Sequence, residues 1–172
     1  MPSLQNAIRF FPYEQAMLQA LNTEGYTNLI DMFEHACSDF TDRPAYTALG
    51  QTLSFKDIDQ HSRDFAAYLL GDCGLTPGQR IAIQLPNLCQ YPIVAWGALR
   101  AGLVLVNTNP LYTQRELLHQ FNDAGVTALV CLVDLLPALE AVVPETGIGT
   151  VIVSNVYDHI EPQPAPETSL SG

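Results

Sequence analysis

A chain of 172 residues that is 48% hydrophobic can bury a substantial core and suits one compact domain, two at most. Its formal charge of −11, from eighteen acidic against seven basic residues, argues against a nucleic-acid or anionic-membrane surface, because both reward clustered Lys and Arg. The basic residues are instead scattered: Lys56 is the single lysine, and the arginines are Arg9, Arg43, Arg63, Arg80, Arg100 and Arg115.

Residues 1–26 show no clear period and lack the unbroken apolar run and cleavage site of a signal peptide. From 28 to 40 the spacing predicts a helix, with Leu29, Phe33, Ala36, Cys37 and Phe40 along one apolar face. "PAYTALGQTLSF" (44–55) then reads as two short strands around a tight turn at Gly50-Gln51. Ser54 and Asp57 have the spacing of a capping box. They open a helix that buries Ile58, Ser62, Phe65, Ala66 and Leu69 and stops near Gly71 or Gly74.

Beyond Gly74 a rhythm sets in, with apolar runs starting near Ile81, Leu103, Val126 and Thr150, about 22–24 residues apart. The runs are nearly continuous rather than alternating, which predicts strands buried on both faces. The spacers "QYPIVAWGALRAG", "TQRELLHQFNDAG" and "LLPALEAVV" are helix-length. Together they predict an α/β fold: a layered sheet of mostly parallel strands with crossover helices on both faces, plus a small N-terminal hairpin. The stretch 126–143 is long enough to span a bilayer, but Asp134 and Glu140 lie inside it and Pro137 interrupts it. An acidic residue near a helix centre costs ~2.5–3.5 kcal/mol on insertion, so the stretch reads as strand, turn and helix.

The widely spaced thiols Cys37, Cys73, Cys89 and Cys131 match no metal or disulfide framework and are expected to be free, as in a cytosolic protein. His35 and Cys37 are expected to point outward and inward respectively, rather than to form half a metal site. "NTNP" (107–110) follows a strand's carboxyl end and precedes a helix start, where α/β sheets bind ligands. A local reading competes with that one: Asn and Thr side chains satisfy the turn, and Pro110 stiffens its exit. His119, beside Leu117, Leu118, Phe121 and Ala124, reads as a boundary histidine rather than a base. Arg100 is expected to offset a helix dipole; Arg115, in a first turn where a cation is disfavoured, is expected to contact something outside this segment.

The stretches "LSFKDIDQHSRDFAAYLL" (53–70) and "QLPNLCQYPIVAWGALRAGLVLVNTNPLYTQRELLHQFNDAG" (84–125) resemble the adenylate-forming acyl-CoA synthetases, and more narrowly the bacterial long-chain fatty acid–CoA ligases. "YTNLIDMFEHACSDFTDRPAYTALG" (26–50) is similar to the family's start, so the likeness spans about 26–155. The resemblance implies a two-step reaction for the full-length enzyme. ATP and a fatty acid give acyl-adenylate and pyrophosphate, and CoA then displaces AMP to form the thioester.

It also implies ATP, Mg and CoA for that full-length enzyme, but none bound by this segment. The family's phosphate loop is rich in Ser, Thr and Gly and carries a lysine; no such loop is present, and Lys56 falls on a surface helix. The site residues are therefore expected to be none in this chain: no catalytic, cofactor-binding or metal-binding residue. The expected organisation is an extension at 1–26, an N-terminal α/β subdomain at 27–157 and a Pro-rich linker or truncated end at 158–172. The implied location is cytoplasmic, with peripheral contact at the inner membrane an option for the full-length enzyme. A homodimer, another acyl- or aryl-CoA ligase of the superfamily, and a free-standing flavodoxin-like nucleotide or flavin module remain alternatives.

Overall fold

The computed structural model describes residues 25–158, so the expectations for the N-terminal extension and the Pro-rich end lie almost wholly outside the described residues. Helix α1 (Leu29–Asp39) starts where the Asn28 side chain accepts the Asp31 N–H. Only Phe33 and Cys37 of its anticipated apolar face are buried; Leu29 is 59% and Phe40 40% exposed. The helix meets the core through its middle turns, while Phe40 at the end of the stripe lies only at the margin, against the Phe55 ring at 5.8 Å with Arg43 over its face.

Strands β1 (Pro44–Ala48) and β2 (Gln51–Ser54) form an antiparallel hairpin. Its two-residue turn is Leu49-Gly50, one residue earlier than the expected Gly50-Gln51, and both residues have positive φ (50° and 79°). That pair of values matches the right-handed twist of the strands, at the cost of placing a leucine in the left-handed region. Helix α2 (Phe55–Gly71) begins with the anticipated capping box: Ser54 accepts from Asp57 N–H while the Asp57 carboxylate accepts from Ser54 N–H. It buries Ile58, Ser62, Ala66 and Leu69, as its period predicts, whereas Phe65 is only half-buried, packed at the margin of two clusters.

The remaining strands are β3 (Arg80–Gln84), β4 (Val104–Asn107), β5 (Ala128–Leu132) and β6 (Thr150–Ser154). They form a four-stranded sheet in the order β4-β3-β5-β6, with every neighbouring pair parallel. Burial on both faces holds for the inner strands, since all of β5 and all of β3 except Arg80 are buried. It fails for the outer two: Val104, Val151 and Val153 are 48%, 39% and 45% exposed. An apolar run identifies a strand but does not say whether that strand lies inside the sheet or at its edge.

Helices cover both faces. On one, Ala66 and Leu69 of α2 and Val94 and Ala98 of α3 (Gln90–Arg100) pack on Ile81, Ile83, Ala128 and Val130. On the other, Leu117 and Phe121 of α4 (Gln114–Ala124) pack on Ala82, Leu129 and Cys131. The third spacer, expected to be a full helix, is only α5 (Leu136–Leu139) flanked by 3-10 turns. Pro137 in its first turn and Pro144 in the second 3-10 turn remove donors that a longer helix would need. α3 stops as anticipated: Gly102 takes φ 73°, and the Leu103 N–H reaches back to Ala98 O at 2.9 Å. No described helix is long and apolar enough to cross a membrane.

Candidate functional site

The chain crosses from β3 to β4 on one side and then from β4 back past β3 to β5 on the other, so the sheet's switch point lies between β3 and β5. Loops at the carboxyl ends surround it. Asn107 closes β4: its side-chain Oδ1 accepts from Tyr91 O–H at 2.8 Å, and its carbonyl accepts from Gln120 Nε2 at 3.1 Å. Thr108 is buried, its N–H donating to Ile83 O and its hydroxyl to Val106 O. Asn109 Oδ1 accepts the Leu111 N–H at 3.0 Å, an Asx turn ahead of the Thr113–Glu116 capping box that opens α4. The loop after β6 is tied from the opposite side, where Gln90 Nε2 donates to Asn155 O and Val156 O at 2.9 and 3.3 Å.

A side-chain oxygen of each of Asn107, Thr108 and Asn109 is thus engaged in holding the loop, which is the local reading of that motif. The loop leaves Leu111 88% exposed and Tyr112 37% exposed, and Tyr157 beyond β6 is 70% exposed. An apolar rim thus stands on the edge where α/β sheets take their ligands. Gln84, at the carboxyl end of β3, is buried with its Oε1 lacking a hydrogen-bond partner.

Charge is committed elsewhere. Arg100, whose side chain is 7% exposed, donates to Glu34 at 2.7 Å and to Asp59, while Arg63 bridges the same two carboxylates. Its guanidinium lies 5.4 Å from the Phe33 ring centroid, and Phe33 in turn stacks on Trp96 at 4.0 Å. Arg100 stands in the last turn of α3, where a cation offsets the dipole as expected, and it also clamps α1, α2 and α3 together through Glu34 and Asp59. Only the fold could reveal this, because Glu34, Asp59 and Arg100 are far apart in the chain.

Lys56 is exposed in the first turn of α2, as expected. Arg115 and His119 are exposed and line a shallow groove with Thr113 and Glu116. His35 is exposed, its Nδ1 held by the backbone carbonyl of Asp31, a contact that raises its pKa. Cys37 is buried, so the two do not share a site. All four cysteines are free, and burial pushes the Cys37 and Cys131 thiols up to about 11. The carboxylates of Asp31, Asp57 and Glu116 are drawn to backbone N–H and hydroxyl donors at helix starts, which holds their pKa values down. Among the described residues no cluster of His, Cys, Asp or Glu is set up to hold a metal ion, and the Mg that the family implies finds no fitting donor set here.

The profile of the AMP-binding enzymes matches residues 33–171. The chain belongs to that family. It is 42% identical over 140 residues to a long-chain-fatty-acid–CoA ligase of Salmonella typhimurium, covering 81% of this chain and 25% of that protein. It is 43% identical over 153 residues to the Haemophilus influenzae protein of the same name, covering 89% and 27%. The chain thus spans about a quarter of the length of these curated relatives, at their N-terminal end. A long-chain-fatty-acid-CoA ligase from Archaeoglobus fulgidus superposes with a TM-score of 0.68 at 25% identity, over 73% of this chain and 27% of that one. Anthranilate CoA ligase AuaEII superposes at 0.71 with 19% identity, over 81% and 28%, a likeness that concerns the fold.

Proposed function

We propose that residues 27–157 are the N-terminal α/β subdomain of a long-chain fatty acid–CoA ligase, contributing structure rather than catalytic groups. The observation that carries this reading is the 42–43% identity to ligases confined to their first quarter. In the full-length enzyme ATP activates a fatty acid to the acyl-adenylate, and CoA then takes the acyl group as a thioester. Both steps need donors and cations aimed at phosphate oxygens where charge develops. Here Arg63 and Arg100 are neutralised by Glu34 and Asp59, Lys56 stands exposed in the first turn of α2, and the starts of α2 and α4 are filled by the carboxylates of Asp57 and Glu116.

The role supported for this segment is to hold a rim. Tyr91 and Gln90, on the first turn of α3, hold the loops after β4 and β6 at fixed positions around the switch point. The surrounding chain of the enzyme would build its acyl and nucleotide sites against that rim, in the cytoplasm and with peripheral access to membrane-derived fatty acids. A flavodoxin-like module shares the parallel sheet, and the family match decides against it.

The test is pyrophosphate release by the purified chain with ATP, magnesium and a long-chain fatty acid, with and without CoA. No turnover above background is expected. Turnover within a few hundredfold of an intact ligase would overturn the reading.

A further inference from the structure

Helix α1 carries more apolar side chains than it buries. Phe33 and Cys37 face the core, while Leu29 and Met32 are 59% and 40% exposed and Ala36 is half-buried. At helical spacing Leu29, Met32 and Ala36 stand together on the flank beside the buried pair. The chain enters α1 along that side. The Tyr26 ring meets the His35 ring edge-on at 5.4 Å, and Thr27 donates its N–H to Asp31 Oδ2 at 2.8 Å. His35 follows Met32 by three positions, so the two are neighbours on the helix surface. Residues 26 and 27 are thus turned back against the helix they lead into, which directs the preceding chain toward Met32.

We propose that this flank of α1 is the docking surface for residues 13–21 of the same chain, which pack on it as an amphipathic helix. Residues 1–26 have no single period, but inside them Tyr13, Ala16, Met17, Ala20 and Leu21 fall at i, i+3, i+4, i+7 and i+8, one face of a helix. Pro12 and Glu14 suit its first turn, the one by its fixed φ and the other by its charge at the positive end of the dipole. The lengths agree as well. Residues 13–21 rise about 12 Å as a helix, and Leu29 to Ala36 about 10 Å. Residues 22–28, with Gly25 among them, form a connection within the ~2–8 residues usual between packed helices. An antiparallel hairpin of that kind lays Leu21 against Leu29, Met17 against Met32 and Tyr13 against Ala36. A second copy is the weaker candidate: three side chains offer far less than the roughly 1,200 Å² of a stable interface, and each copy carries a charge of −11.

The inference does not depend on the ligase reading, and the 172-residue chain alone can test it. Its three methionines are Met1, Met17 and Met32, so methyl labelling of methionine gives a sparse NMR spectrum. A through-space cross-peak between the Met17 and Met32 methyls is expected, with a relative intensity that dilution does not change. Tyr13→Glu with Leu21→Glu should abolish it and speed hydrogen exchange of the α1 amides about tenfold. Leu29→Glu, at an exposed position, should do the same. Leu18→Glu, on the opposite face of the segment, should change neither.

Absence of the cross-peak from the unaltered chain, or its survival in the Tyr13 and Leu21 double variant, would overturn the proposal. So would an equal loss with Leu18→Glu. A cross-peak that fades on dilution as a dimer dissociates in light scattering would also overturn it, and would assign the flank to a second copy.

Discussion

The two faces of the sheet are built on different terms. One is covered by the long helices α2 and α3, fitted so closely that a Cβ on Gly97 would lie 2.8 Å from Phe65 Cδ1 and 3.0 Å from Ser62 O. Around this pair Arg100 and Arg63 fasten α1 through Glu34 and Asp59. The other face has one amphipathic helix, α4, with Phe121 fully buried, and beside it a chain broken into α5 and 3-10 turns. The first face depends on close fit and paired charge; the second relies on a few large side chains. They should fail differently when altered.

Phe121→Ala removes the largest fully buried side chain from the sparser face, and it should cost about 3–5 kcal/mol in denaturant unfolding. A loss below ~1 kcal/mol would mean that face is not the weaker one. Arg100→Met leaves Glu34 and Asp59 without their buried partner. Since those carboxylates are partly exposed, the expected loss is ~2–3 kcal/mol, below the full penalty for a broken buried pair. Changing all four charged residues to neutral ones of similar volume should recover part of that loss, and failure to recover would show that the clamp contributes net stability.

Gly97→Ala should cost ~1–3 kcal/mol by overpacking against Phe65, whereas Gly71→Ala, with open space around it, should be near neutral. Equal effects would mean the helices slide apart freely.

The smallest effect is on pH. Asp57 and Glu116 have folded pKa values below their ordinary 3.8 and 4.5, through hydrogen bonds from Ser54 and Thr113. A depressed carboxylate gives stability that is present above the unfolded pKa and lost as pH falls through the folded one. Stability should therefore drop below about pH 4.5, and Asp57→Asn with Glu116→Gln should flatten that limb. An unchanged acid limb in the double variant would remove the caps as its cause.

Much of this architecture was legible locally. Ser54 to Asp57 and Thr113 to Glu116 declare their helix starts because a capping box is a contact between near neighbours. Gly102 and Gly125 declare helix ends because both must adopt positive φ. What could not be read depends on distant partners. Whether "LVLV" or "ALVCL" becomes the central strand is decided by order in the sheet, which leaves no periodic trace. The place of Arg100 at the end of α3 is legible, but its partners Glu34 and Asp59, 66 and 41 residues away, are not. The shortness of α5 follows from Pro137 and Pro144, whose missing donors limit helix length without disturbing the apolar period of the run. At the carboxyl rim the turn chemistry of Asn107 to Pro110 was visible, while Gln90 and Tyr91 as the pins of two loops were not.

The order β4-β3-β5-β6 has a further consequence, for synthesis. β3 can pair with β4 as soon as the intervening α3 has formed, but its other side waits for β5, about forty residues later. At ~5–20 residues per second, the central hydrogen-bonding edge of the nascent chain stands open for roughly 2–9 s. Within that interval α3 is made before α4, so the tightly fitted face over Ile81 and Ile83 is the first to gain all its helices.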